Sequence, residues 1–171
     1  MRYKLNPLTA YITGYLSIIL GGAALIPAAF ALYTDETNFS AFLATAILAF
    51  AVGFFLQKKG LSHRERINMR DAAQTILALW LWAAFVGMLP FFLANKLNFF
   101  DAFFLAVSYL TTTGIDILPD KSIFSAFHMW CVIMAWLGAA GYLIIFVTLL
   151  PQAAGVFGVD LAFRSSYVFS P

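Results

Sequence analysis

Charge is scarce in this chain: 11% of its 171 residues are Asp, Glu, Lys or Arg, against about 25% in a typical soluble domain. That deficit, with a mean hydropathy of +0.88, excludes an ordinary water-soluble domain and places the chain in a membrane. Cysteine is almost missing. Cys131 stands alone in an apolar stretch, which excludes a disulfide framework and a Cys/His metal set and leaves a buried structural thiol. Histidine occurs twice: His63 lies in a basic loop, and His128 lies within the last apolar segment, where it reads as a packing or interfacial residue. No carboxylate pair and no Ser/His/Asp set stands out, so an enzyme is not expected. The net charge is only +2, and the basic residues are not interleaved for nucleic acid, so no nucleic-acid partner is expected.

What fills the chain instead is apolar sequence, with 19 Phe and 4 Trp suited to lipid-facing and interfacial surfaces. Four apolar segments stand out: 8–33, 39–56, 72–94 and 123–150, the last closed by Pro151. Each is long enough to cross a hydrocarbon core of about 30 Å, which needs roughly 17–25 helical residues. Arg2 and Lys4 before the first segment imitate a signal peptide, but the run continues to Tyr33 with no small-residue cleavage site at the right length, so a retained helix is expected. The cluster Gly138-Ala139-Ala140-Gly141 within the last segment suits a bend or a close approach.

Loop charge gives the orientation. Arg2 and Lys4 precede the first segment, and Lys58, Lys59, Arg64, Arg66 and Arg70 crowd the link between the second and third. Only Asp35 and Glu36 carry charge between the first and second. The positive-inside rule therefore predicts a multi-pass protein of the cytoplasmic (inner) membrane with both termini cytoplasmic and the 101–120 region opening outward. The basic link also suits anionic lipid.

One apolar run, Phe99 to Leu110, is too short to cross. As a helix it reaches about 18 Å. Asn98 ahead of it and Asp101 three residues later predict an N-cap with a first-turn carboxylate. Either this is a half-length helix entering from outside, or it is an interfacial helix followed by a polar loop; hydropathy does not separate the two. In the first case Thr111, Thr112, Thr113 and Gly114 end up inside the membrane, where non-helical backbone is tolerated only when protein buries it or it lines a watery path. Backbone carbonyls there can replace a cation's hydration shell without burying charge. Gly114 can take φ > 0 and turn the backbone. The helix's negative dipole end favours a cation, and Asp116 just beyond would raise cation concentration at the mouth. Asp120, beside Pro119, is expected to cap the last helix.

The order Leu89-Pro90-Phe91-Phe92, Asp101-Ala102-Phe103-Phe104, Ser108 through Gly114, Trp136-Leu137-Gly138 and Leu150-Pro151 resembles the Trk/Ktr/HKT potassium-transporter superfamily, most of all the amino-terminal part of a bacterial Trk-type membrane subunit. The resemblance covers nearly the whole chain. It implies an all-α membrane protein with four transmembrane helices plus one re-entrant pore helix and filter loop. Residues 1–71 would supply two leading helices and a basic cytoplasmic loop, 72–154 a helix–pore loop–helix repeat, and 155–171 a membrane-proximal tail. It also implies that Thr111, Thr112, Thr113, Gly114 and Ile115 form the filter and coordinate potassium as the transported ligand, with Asp116 at the pore mouth. No other cofactor and no transition metal is implied. Glycine rather than serine at position 114 goes with potassium over sodium. Tyr109 departs from the pattern, standing where a glycine is usual after the serine. So do Ala139 and Ala140, where the family has a glycine-rich run, and the residues around His128, Met129 and Trp130.

One filter loop cannot surround an ion, and four are expected around a pore axis. The implied partners are further pore repeats, from a companion chain, the remainder of a longer chain or a homo-oligomer. The lipid bilayer is another, and the family suggests a cytoplasmic nucleotide-binding regulatory subunit. The expected function is potassium uptake across the cytoplasmic membrane. The rival is a non-conducting membrane scaffold or accessory subunit of a transporter complex, with the Thr111–Gly114 turn merely packed.

Overall fold

A computed structural model describes residues 7–60, 69–118 and 125–156. These form five helices and, among the described residues, no strand. They are α1 (Pro7–Tyr33), α2 (Phe39–Gly60), α3 (Met69–Leu93), α4 (Phe99–Leu110) and α5 (Ala126–Val156). Four are long and apolar enough to cross a membrane, over Thr9–Tyr33, Phe39–Lys58, Ala73–Leu93 and Ala126–Val147. All four expected spans are present. α5 departs from expectation at its far end, because it runs through Pro151 to Val156 instead of stopping there. The expected cap at Asp120 and the tail beyond 156 lie outside the described residues.

Small residues set the first pairing. Down α1, Gly14, Ser17, Leu20, Ala24, Pro27 and Ala31 are buried at helical spacing, which puts them on one stripe. Facing them on α2 are Ala46, Ala49 and Gly53. A methyl placed on Gly14 would stand 2.9 Å from the Gly53 carbonyl oxygen, and the reverse distance is also 2.9 Å. The two backbones therefore touch where side chains would have held them apart, as membrane helices do when dispersion and not water exclusion drives their association.

Polar side chains then join α1 to α3. The Thr9 and Thr75 hydroxyls lie 2.8 Å apart in a buried contact. The Trp82 indole N–H donates to the Ser17 hydroxyl at 2.7 Å, and that hydroxyl donates to the Thr13 carbonyl at 2.8 Å. At the other end, aromatics fasten α5. Trp130 is fully buried and its indole N–H donates to the Gly87 carbonyl at 2.9 Å. Phe42, Phe91, Phe127 and Trp130 pack ring against ring. A long-range tie completes this end: Glu36, in the link between α1 and α2, accepts from the Ala126 N–H at 3.2 Å. The first free amide of α5 is thus capped from another part of the chain.

α4 is built as its sequence predicts. The Asn98 side chain accepts from the Asp101 N–H at 2.9 Å and donates to the Asp101 carboxylate at 2.7 Å. Ala102, Leu105, Ala106, Ser108 and Leu110 are buried, while Phe100 and Phe104 stay exposed. α4 lies between α3 and α5.

Candidate functional site

Leu110, the last residue of α4, rests on α5 at Gly138. A Cβ built on Gly138 would collide with the Leu110 carbonyl oxygen and stand 2.7 Å from its carbonyl carbon. Gly138 lies roughly 18 Å along α5 from Ala126, at about 1.5 Å per residue. α4 therefore ends about halfway along the apolar span Ala126–Val147 of its neighbour. The chain then turns back toward the end at which α5 begins.

That turn, residues 111–118, gathers all six expected site residues. Thr111 caps α4 with φ −84° and ψ 6°. Its hydroxyl donates to the Val107 carbonyl at 2.9 Å and contacts the Thr113 hydroxyl at 2.9 Å. Thr112 and Gly114 both sit in the left-handed region, at φ 59° and 72°. Glycine reaches that region freely, whereas a β-branched threonine does so only under constraint. Ile115 is half exposed. Asp116 is partly buried, and one carboxylate oxygen accepts from the Leu118 N–H at 2.8 Å. The carboxylate expected at the mouth is thus engaged in a local brace of the turn.

Ser108 organises the turn, and sequence reasoning did not single it out. Its carbonyl accepts from both the Thr113 and Gly114 N–H groups, at 2.9 and 3.1 Å. Its buried hydroxyl accepts from the Ile115 N–H at 2.7 Å and donates to the Ile115 carbonyl at 3.0 Å. One residue thus satisfies three loop amides and one loop carbonyl. The signal available was a serine inside the apolar run Phe99 to Leu110.

With the amides engaged, the carbonyls are left over. Among the described residues no backbone amide or side chain donates to the carbonyls of Thr111, Thr112, Thr113 or Gly114. These residues are exposed. Four exposed carbonyls with no donor among the described residues, at the negative end of a helix, form an electronegative surface. Below them an open cavity of about 620 Å³ is bounded by Leu110, Thr111 and Thr112, by Ile76 and Trp80 of α3, and by Ala139 and Tyr142 of α5. No group of three or more metal-ligating His, Cys, Asp or Glu side chains occurs among the described residues.

The chain is similar to curated potassium uptake proteins. It is 30% identical over 158 residues to the Trk system potassium uptake protein TrkH of Escherichia coli K12, which covers 88% of this chain and 32% of that protein. TrkG of the same organism is 26% identical over the same shares. TrkH of Vibrio parahaemolyticus is 28% identical over 88% of the chain and 31% of that protein. The chain thus spans about a third of the length of these relatives. No family model and no solved structure matches it.

Proposed function

Because the chain belongs to the Trk-type superfamily of potassium uptake proteins, we propose that it contributes one filter loop to a four-loop potassium pore in the cytoplasmic membrane. In this reading α1 and α2 are the leading helices, with residues 1–71 forming the first unit. α3, α4 and α5 form the helix–pore helix–helix repeat of 72–154. α4 is the re-entrant helix, and the carbonyls of Thr111, Thr112, Thr113 and Gly114, with Ile115 following, replace water around a dehydrating K⁺. Asp116 stands at the mouth. Both termini are cytoplasmic. Further repeats complete the ring, and a nucleotide-binding subunit is the candidate regulator on the cytoplasmic side.

The observation that carries this reading is the row of carbonyls that have no donor among the described residues, at the end of a helix that stops about halfway along the apolar span of α5. Lipid could not solvate those groups, each of which would cost several kcal/mol in hydrocarbon. At that depth they need a partner from further protein, from water or from an ion, and the exposed turn at the negative end of α4 favours the last two. The test is K⁺ uptake by an uptake-deficient bacterium that carries the chain together with its remaining repeats. Gly114→Ser is expected to lower K⁺ preference over Na⁺, and joint replacement of Thr112 and Thr113 to abolish uptake. Uptake unaffected by both changes leaves the non-conducting scaffold as the function.

A further inference from the structure

We infer that Ser108 is a positioning residue that sets ion preference from behind the loop, without touching the ion. The inference rests on the pore reading above but is carried by its own observation. The Ser108 hydroxyl is buried, and it pairs with both polar backbone groups of one residue: it accepts from Ile115 N–H at 2.7 Å and donates to Ile115 C=O at 3.0 Å. A hydroxyl has one proton and two lone pairs, so this use engages the proton and one lone pair and is directional. Ile115 is the residue at which the turn leaves the run of carbonyls that have no donor among the described residues. Fixing its peptide groups on both sides fixes where the preceding Gly114 carbonyl lies. The Ser108 carbonyl holds the adjoining Thr113 and Gly114 amides. The later half of the loop, from Thr113 to Ile115, is thus pinned by the two oxygens of one residue.

The consequence concerns spacing and not presence. Without the hydroxyl, Ile115 is free to rotate its peptide groups toward water, and Gly114, at φ 72° with no atom within 4 Å of where a Cβ would stand, offers no steric resistance. Carbonyls that can close around a smaller ion or open for a larger one discriminate less between K⁺ and Na⁺. Ser108→Ala removes both bonds and Ser108→Thr keeps them. Each net hydrogen bond corresponds to roughly a tenfold change in an equilibrium, and the two share one hydroxyl and one partner residue. A loss of preference of at least about tenfold is therefore expected.

The experiment uses the protein in its native assembly, reconstituted into liposomes. K⁺ and Na⁺ fluxes are measured for wild type, Ser108→Ala and Ser108→Thr, and amide hydrogen exchange is followed over the peptide containing Ile115. Ser108→Ala is expected to lose at least about tenfold in K⁺/Na⁺ preference and to exchange the Ile115 amide at least about tenfold faster, with Ser108→Thr restoring both. Unchanged preference in Ser108→Ala, or an equal loss in Ser108→Thr, overturns the role in selectivity. A wild type that conducts no K⁺ overturns the pore reading instead, and faster Ile115 exchange in the alanine variant alone would still establish the positioning. Unchanged exchange overturns the positioning whatever the flux. If Ser108→Ala does not accumulate, Ser108→Cys decides, since its weak thiol donor predicts a loss between those of threonine and alanine.

Discussion

Replacing Gly138 with alanine tests the seat of the loop. The added Cβ would meet three backbone atoms of Leu110: its carbonyl oxygen in outright overlap, its carbonyl carbon at 2.7 Å and its Cα at 3.1 Å. None of these is the movable end of a side chain, so relief requires α4 or α5 to shift on the order of 1 Å or more to recover ordinary van der Waals separation near 3.5 Å. Overpacking of this kind costs about 1–3 kcal/mol. The displacement falls where the carbonyl row begins, so function should suffer beyond what stability predicts. Gly141→Ala is the control on the same helix. Nothing lies within 4 Å of its Cβ position, and alanine is the better helix former by roughly 0.5–1 kcal/mol. Thermal unfolding in detergent should therefore rank Gly141→Ala at or above wild type and Gly138→Ala clearly below. K⁺ uptake, normalised to protein in the membrane, should fall only in Gly138→Ala. Equal stability and uptake for Gly138→Ala and wild type would refute the close approach of α4 to α5 and with it the placement of the loop.

Glu36→Ala should destabilise the protein by roughly 0.5–2 kcal/mol, because it leaves the first amide of α5 without its long-range cap, while Glu36→Gln keeps an acceptor and loses less. Thermal unfolding of the two variants checks the order. Trp82→Phe should cost about 0.5–1.5 kcal/mol through the lost bond to Ser17. A double-mutant cycle with Ser17→Ala should return a coupling near 0.6 kcal/mol, the average for such pairs between membrane helices; a coupling of zero would mean the two residues do not sense one another.

The parts of this structure that were readable in advance are those encoded by neighbours in sequence. Asn98 and Asp101 announce the start of α4 because a cap acts over three residues, and the twelve-residue apolar run fixes its end at Leu110. Gly114 was readable as a left-handed position, since few other residues go there freely. Thr112 was not, because its φ of 59° comes from the crowded turn and not from its own preference. Pro151 looked like a stop. Proline removes one helical bond, but in an apolar medium the remaining amides have no better partner than their own helix, so α5 continues. Gly138 was readable as a point of close approach, yet nothing local says that the backbone of Leu110 comes to rest there. Glu36 and Ala126 are farther apart still in sequence, and their pairing exists only once α1, α2 and α5 are assembled.

Ser108 and Gly138 together separate two properties of the loop that a sequence motif presents as one. The amides of Thr113, Gly114 and Ile115 are all satisfied by Ser108, and the start of the loop is seated by Gly138 of α5. The backbone shape of the loop can therefore form within this chain. The carbonyls of Thr111 to Gly114 find no donor among the described residues and lie exposed, so their solvation must come from elsewhere. Shape can thus arise within this chain, whereas in the proposed pore ion coordination takes several loops. Substitutions at Ser108 or Gly138 should alter the loop even where no pore is assembled, while the consequences of Gly114→Ser for ion preference should become visible only when the other loops are present.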